Sequence, residues 1–292
     1  MTTPTSCRVT ALALLLPLSL ALPGCGGVSS AADDVANTLV DGLVCGLRNC
    51  TESSTLNVDE ISPRFTATQA AGDSAVVVSG SLGKSANVLT VVLKAPDERI
   101  SASVDGSTEA SLANPDGKRF DYSSRFPATS AQPVVRLVFT RGGTRHVSEV
   151  TLPPGFVVLQ PTGTPLLTRS GPALPVRLSL ATVGTASAIA SGTCSRSDGS
   201  RFDAKGSSLG ARAEANVAGG YRLDPAWVDD SLNALSRSLN NNDPKTPAVS
   251  RCELVVTWAQ SVQGSVAPTL NRHGALLGQR TAAHALTYDA GL

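Results

Sequence analysis

The sequence predicts a mainly β protein made of two tandem antiparallel β-sandwich domains. Three observations support this prediction. Short runs rich in β-branched residues, separated by turn residues, begin at Phe65; prolines cluster between residues 153 and 165; and only one long helical pattern interrupts the second half, near residues 225–240. Strands of this length with turn signals between them are typical of antiparallel sheets.

The first predicted domain spans residues 63–162. Its predicted strands lie at 75–78, 87–93, 99–104, 134–140 and 146–152. The clearest unit is the hairpin at 134–152, where Val135, Leu137 and Phe139 alternate on one face and Gly142-Gly143 supplies a two-residue turn. Prolines cannot continue a central strand, so the cluster that follows places a domain boundary near 160–165.

The second predicted domain spans residues 163–292 and has strands at 176–181, 186–194, 252–260 and 281–288. A helical insertion is predicted near 225–240. Asp224 can cap this helix and Pro225 fits its first turn. Its apolar stripe comprises Trp227, Val228, Leu232, Leu235 and Leu239.

Residues 1–24 have the pattern of a cleaved export signal. Arg8 precedes an apolar run over residues 9–22 that Pro17 interrupts. A bilayer-spanning helix needs about 20 apolar residues. The run is shorter than that, so a signal peptide is favoured over a permanent membrane helix.

Leu22-Pro23-Gly24-Cys25 resembles the lipobox of bacterial lipoproteins. The resemblance implies cleavage after Gly24, a diacylglycerol on the Cys25 thiol and acylation of the new amino group. Gly26 follows the cysteine where retention at the inner membrane would favour Asp, which implies the outer membrane, with the protein facing the periplasm or the cell surface. An ordinary secretory leader is the alternative.

Residues 25–62 are predicted to be a lipid-anchored tether with a short N-terminal helix. Val35, Leu39, Leu43 and Leu47 recur at four-residue spacing and form one apolar stripe. We expect this stripe to dock on the body of the protein or on a partner.

Four cysteines remain once Cys7 leaves with the leader and Cys25 carries lipid. An even number in an oxidising compartment predicts two disulfides. Three pairings are possible; Cys45–Cys50 and Cys194–Cys252 are favoured because each pair lies within one predicted module. A metal site at Cys45 and Cys50 is disfavoured, since no histidine or further cysteine lies nearby in the sequence.

The second disulfide also suggests a relationship between folds. A bridge from Cys194 to Cys252, with Trp258 nearby, resembles the core of immunoglobulin-like domains. The resemblance is one of general pattern and implies a sandwich architecture.

The overall charge argues against nucleic acid as a partner. The chain has 24 Lys+Arg and 23 Asp+Glu, and removal of Arg8 with the leader leaves 23 of each. Neutralising a phosphate backbone requires a basic patch, which this balance does not supply.

Two short motifs suggest hydrolytic chemistry. The segment 206–210, Gly-Ser-Ser-Leu-Gly, matches the pattern that presents a nucleophilic serine, here Ser208, with His273 and His284 as possible bases. That motif requires a buried strand before the serine and a helix after it, and the polar segment 201–206 does not fit. Ser81 and Lys84 match the spacing of penicillin-recognising enzymes, but the other motifs of that family are absent.

The sequence therefore predicts a lipid-anchored cell-envelope protein that is a non-enzymatic binding or interaction module without a cofactor. Its partner would be another envelope protein or a surface ligand. One alternative is an envelope serine hydrolase that uses Ser208. The other is a carbohydrate-binding module. Aromatic residues are only 4% of the chain, so the candidates for its sugar contacts are few, namely Trp227, Trp258 and Tyr221.

Overall fold

A computed structural model of the 292-residue chain describes Cys45, residues 49–115 and residues 120–291. The predicted signal peptide, Cys25 and the predicted tether helix lie outside the described residues, except for Cys45. The described part is mainly β, as predicted.

The described residues of the first half form nine strands. They are β1 (Asn49–Glu52), β2 (Ile61–Ala70), β3 (Ala75–Lys84), β4 (Asn87–Leu93), β5 (Arg99–Val104), β6 (Ala110–Ser111), β7 (Tyr122–Pro127), β8 (Val134–Arg141) and β9 (Thr144–Thr151). Two 3-10 turns, Ser53–Thr55 and Val58–Glu60, connect β1 to β2.

The second half contains nine further strands and one helix. The strands are β10 (Val158–Gln160), β11 (Leu166–Thr168), β12 (Leu174–Leu178), β13 (Ala186–Arg196), β14 (Arg201–Ser208), β15 (Arg212–Ala213), β16 (Gly220–Leu223), β17 (Val249–Gln263) and β18 (Ala275–Asp289). The helix α1 (Pro225–Leu239) confirms the predicted insertion. The Asp224 carboxylate accepts a hydrogen bond from the Ala226 N–H at 3.0 Å and caps its first turn.

Three sheets organise these strands. The large sheet has ten strands, in the order β1-β4-β3-β2-β18-β17-β13-β14, with β7 pairing to β3 and β11 pairing to β18. The N-terminal small sheet has the order β6-β5-β8-β9, and the C-terminal small sheet has the order β10-β12-β16-β15.

The large sheet buries one face, as the alternation along β17 shows. Cys252, Leu254, Val256 and Trp258 are buried, whereas the residues between them are exposed or half-buried. Successive side chains of a strand point to opposite faces. We call the buried side the inner face and the other side the outer face.

Two hydrophobic cores lie against the inner face. The first core joins strands of the large sheet, such as β2 and β3, to the N-terminal small sheet. The second core joins β13, β14, β17 and β18 to the C-terminal small sheet and to α1. Each half is thus a two-layer β structure over its own core.

The β17–β18 hairpin contributes to both cores. The start of β17 and the end of β18 supply residues such as Leu254 and Leu286 to the second core. Ala267, Leu270 and Leu276, in and next to the loop between the two strands, belong to the first core. In addition, β18 pairs in parallel with β2, from Ala275 opposite Arg64 to Thr281 opposite Ala70. The predicted tandem arrangement of two sandwiches is therefore not confirmed, because one sheet runs through both halves.

The folded body also begins earlier than the predicted tether allows. β1 pairs with β4, and Leu56 and Ile61 are buried in the first core. Core membership changes between Leu152 and Phe156, a few residues before the predicted boundary. Residues 49–62 are therefore part of the folded structure.

The β8–β9 hairpin forms as the sequence predicts. Gly142 and Gly143 both have positive φ angles, 54° and 76°, as a two-residue type I′ turn requires. Val135, Leu137 and Phe139 are all buried in the first core.

Candidate binding surface

Both predicted disulfides are present. Cys45 is bonded to Cys50, and the pair packs against Phe120 and against Val91 and Leu93 on the outer face of β4. Cys194 is bonded to Cys252, its direct register partner on the neighbouring strand, with 4.1 Å between the Cα atoms. The immunoglobulin bridge joins two sheets, whereas this one joins two strands of the same sheet.

The Gly-Ser-Ser-Leu-Gly motif has a structural explanation. Leu209 is fully buried in the second core. Gly210 has a φ of +61°, and a Cβ at this position would lie 2.9 Å from the Trp227 ring. The glycine is therefore needed for the close approach of α1.

The possible catalytic partners of Ser208 are not brought together. Ser208 stands at one end of a row of register partners that crosses the sheet. The row continues through Ile189 on β13 and Thr257 on β17 to Ala283 on β18. Three strand spacings place Ser208 about 14 Å from the β18 backbone. His284 faces the inner side of the sheet and Ser208 the outer side, so no hydrogen bond can join them.

The other candidate catalytic groups are also apart. His273 lies in the β17–β18 loop, where neighbouring Asn271 donates its backbone N–H to the Ile61 carbonyl of the first half. Ser81 and Lys84 are three residues apart on strand β3, so their side chains point to opposite faces. Lys84 Nζ instead lies 3.7 Å from Glu60 Oε1.

The three candidate aromatic residues do not form a platform. Trp258 and Tyr221 are buried, and their ring centroids are 4.9 Å apart in the second core. Trp227 is 48% exposed, and the Arg212 guanidinium lies 4.3 Å from its ring centroid. A cation in this position covers a ring face that a sugar would otherwise use.

A polar cluster that the sequence did not reveal fixes α1 to β18. Asp229 accepts hydrogen bonds from Arg169 at 2.9 Å, from Asn233 at 3.0 Å and from the Tyr288 hydroxyl. Burial and the hydrogen bond to Asp229 raise the pKa of Tyr288 well above its usual range. The phenol therefore remains a protonated donor, which suits a structural role.

A second hidden cluster fixes the N-terminal segment to the first half. Glu98 is buried and accepts hydrogen bonds from Ser53 and Arg141, and Arg141 also donates to the Leu56 carbonyl at 2.8 Å. Removing one partner would leave a buried charge unpaired, which is strongly destabilising. This cluster therefore also has a structural role.

The outer face of the large sheet presents exposed and half-buried side chains over both halves. Over the second half, Ile189 and Val255 are 42% and 49% exposed on adjacent strands. Their register neighbours are mostly small, namely Ser191, Thr257, Ala283 and Ala285. Over the first half the face continues through Ser79, Thr66 and Leu277, all half-buried.

Charged groups border this surface. Glu253 lies on the same face and accepts hydrogen bonds from Arg251 at 3.0 Å and from Thr287 at 3.0 Å. These two hydrogen bonds, that from Arg251 first, hold the pKa of Glu253 below its usual value. The outer face thus presents hydroxyl, methyl and a few exposed aliphatic groups, with an ion pair at its border. The sequence signal for it was the run of small residues at alternate positions of β13, β17 and β18.

Two further properties concern the described residues alone. Among them, no helix is long and apolar enough to cross a bilayer. Among the same residues, no cluster of three or more His, Cys, Asp or Glu side chains has a geometry that could hold a metal ion.

Comparison with known proteins yields weak structural similarity only. No protein-family model and no curated protein matches the chain. A chimeric titin Z1Z2 carrying a peptide from decorin is 14% identical, with a TM-score of 0.22, and the match covers 79% of this chain and 96% of that one. The BSP domain of a biofilm-associated protein is 11% identical, with a TM-score of 0.21, and the match covers 82% of this chain and 31% of that one.

Proposed function

We propose that this protein is a lipid-anchored envelope protein that binds another envelope protein or a surface ligand. The observation that carries the proposal is the position of Cys25, directly after an apolar run and Leu22-Pro23-Gly24. The membrane would hold the protein through acyl chains on Cys25. More than one acyl chain gives stable anchoring, whereas a single chain is marginal.

Metabolic labelling with palmitate tests the anchor. We expect label in the wild-type chain and none in Cys25→Ser, which should also accumulate as an uncleaved precursor. Cys7→Ser is the matched control and should still be labelled. Normal maturation of Cys25→Ser without label would contradict the proposal.

The outer face supports the binding role. Ile189 and Val255 are exposed aliphatic neighbours on adjacent strands, and the proposal places the partner on this face. We further propose that the two halves are related immunoglobulin-like sandwich units that present this surface together.

Site-specific crosslinking in intact cells tests the binding role. A photoreactive residue at Val255 should give a discrete crosslinked product, whereas one at exposed Asp97 should not. Absence of a product at Val255, or equal products at both positions, would contradict binding through the outer face.

Carbohydrate recognition is a second candidate because Trp227 is 48% exposed, although Arg212 covers one face of its ring. Binding on a glycan array that is lost in Trp227→Ala and retained in Trp227→Phe would support it.

The hydrolase alternative has a direct test as well. Reaction with a fluorophosphonate probe that disappears in Ser208→Ala, but not in Ser207→Ala, would replace the binding proposal.

A further inference from the structure

The large sheet has a gap beside β18. β2 pairs with β18 as far as Thr281, and β11 begins to pair with it only at Thr287. Between these positions, residues 282–286 have β17 on one side and, within the part of the chain that the structure describes, no paired strand on the other. We call this five-residue interval the β18 gap.

The backbone of β18 points hydrogen-bonding groups into the gap. Thr281 accepts a hydrogen bond from the Ala71 N–H at 2.7 Å, and the Thr287 N–H donates to the Pro165 carbonyl at 3.0 Å. The register between β17 and β18 is continuous, so the backbone N–H and C=O groups of every second residue of β18 point toward the same neighbouring strand. Ala283 and Ala285 therefore direct their N–H and C=O groups into the gap, where no partner for them is found among the described residues.

The gap opens onto a groove lined by alanines and valines together with two threonines, Thr257 and Thr281. The groove has a volume of about 500 Å³, and Ala70, Ala71 and Val157 line it together with Ala283. Leu166, directly beyond the gap, is 59% exposed. The groove can thus receive small or β-branched side chains next to the unpaired backbone.

Strand β14, at one end of the same sheet, is protected against the addition of a further strand, whereas the gap is not. β14 carries the charged residues Asp203 and Lys205, and its Gly206 has a φ of +66° beside a register shift. Charges and bulges discourage strand addition at sheet edges. Ala283 and Ala285 lack both forms of protection.

We propose that the β18 gap binds an extended peptide segment of a partner protein, which adds a strand between β2 and β11. This inference rests on the proposed binding function and specifies its partner as an extended chain. Five residues at about 3.3 Å each give roughly 16 Å of added strand. Backbone hydrogen bonds supply the affinity in this mode, and alternate side chains supply the selectivity.

Selection from a phage-displayed library of random heptapeptides against the full chain tests the proposal. Ala283→Pro and Ala285→Pro remove only N–H groups that point into the gap, so they leave the pairing with β17 intact. Ala283→Ser and Ala285→Ser keep those donors and are the matched controls. We expect enriched peptides that bind the wild type and the serine variants equally and bind the proline variants at least tenfold more weakly.

Hydrogen exchange of the same protein gives a readout that does not depend on the proline variants. The Ala283 and Ala285 amides should exchange rapidly in the free chain and become protected by the enriched peptides. Protection of both amides in the free chain would show that another part of this chain fills the gap and would overturn the proposal. It would also be overturned if no peptides are enriched, or if peptides bind the proline variants as well as the wild type. A crosslink at Val255 without peptide binding at the gap would refute this inference alone and leave the binding function standing.

Discussion

Asp105 organises the loop between β7 and β8 by accepting several hydrogen bonds. Its carboxylate accepts the backbone N–H groups of Thr129, Ser130 and Val134 at 2.9 to 3.0 Å. Partial burial raises the pKa of Asp105, but these three N–H groups and the Ser130 hydroxyl outweigh it and lower the pKa from 3.8 to about 2. The ionised carboxylate is therefore the form that the fold stabilises.

The pH dependence of stability should show this effect. The folded-state pKa lies below the unfolded value, so the contribution of Asp105 is complete above pH 4 and is lost as the pH falls from about 4 to 2. Asp105→Asn should reduce the free energy of unfolding by roughly 1–2 kcal/mol at neutral pH. It should also flatten the acid limb in urea titrations at pH 5, 3.5 and 2.5. Exposed Asp97→Asn is the control, and an equal change in that variant would contradict the assignment.

His284 presents the opposite case, a half-buried side chain whose two ring nitrogens are buried. Both ring nitrogens are buried and lack a hydrogen-bond partner among the described residues, and burial lowers the pKa of the imidazole. The unfolded chain therefore binds a proton more readily than the folded chain, and the free energy of unfolding should decrease as the pH falls below about 6.5.

His284→Leu should reduce the pH dependence of stability between pH 7.5 and 5. Part of the dependence should remain from His146, whose pKa is also lowered by burial. Exposed His273→Gln is the matched control and should behave as the wild type. Chemical denaturation at several pH values measures the effect, and an unchanged slope in His284→Leu would contradict it.

At the scale of elements, the two disulfides close loops of very different length. Cys194 and Cys252 are 58 residues apart, whereas Cys45 and Cys50 are 5 apart. A disulfide stabilises a protein mainly by restricting its unfolded chain, and longer loops give more stabilisation. The bridge between β13 and β17 should therefore contribute more.

Replacing both Cys194 and Cys252 by Ala should lower the free energy of unfolding by about 2–4 kcal/mol. Replacing both Cys45 and Cys50 by Ala should lower the free energy of unfolding by a smaller amount. Guanidinium denaturation of the two double variants under non-reducing conditions gives the comparison. A larger loss for the Cys45 and Cys50 variant would refute the argument.

At the scale of the whole molecule, the β17–β18 hairpin links the two cores. Leu276 belongs to the first core and Leu286 to the second, yet both lie on β18. Because one strand supports both halves, neither half can unfold without exposing apolar surface of the other. Calorimetry should therefore show one transition with equal calorimetric and van't Hoff enthalpies.

Leu276→Ala and Leu286→Ala test this coupling from the two ends of the strand. Each should lower the free energy of unfolding by about 2–5 kcal/mol, and each should shift the single transition as a whole. Two separate transitions, with each variant shifting only one, would instead indicate independent domains.

Short sequence patterns were sufficient to predict individual turns and helix ends. Gly142-Gly143 predicted the β8–β9 turn, and Asp224-Pro225 predicted the start of α1, because the conformations of these residues are set by their neighbours. The contact between β18 and β2 joins residues about 211 apart, as in Gly278 and Ala67, and no local pattern specifies such a pairing. The β18 gap was invisible for the same reason.

The polar clusters were equally hard to foresee. Glu98 and Arg141 are charged residues in unremarkable sequence surroundings, and their burial depends on chain segments that meet only in the folded protein. By contrast, the favoured cysteine pairs could be proposed because only three pairings were possible and each favoured pair lies within one predicted module.

The hairpin that links both cores also determines the order in which the molecule can be completed. The ribosome makes the N-terminal half first, but the core of that half lacks Ala267, Leu270 and Leu276 until the β17–β18 segment has been made. Strand β2 likewise gains β18 as its neighbour only then. The N-terminal half therefore leaves part of its core exposed during synthesis, whereas a protein of independent tandem domains completes each core within its own stretch of chain.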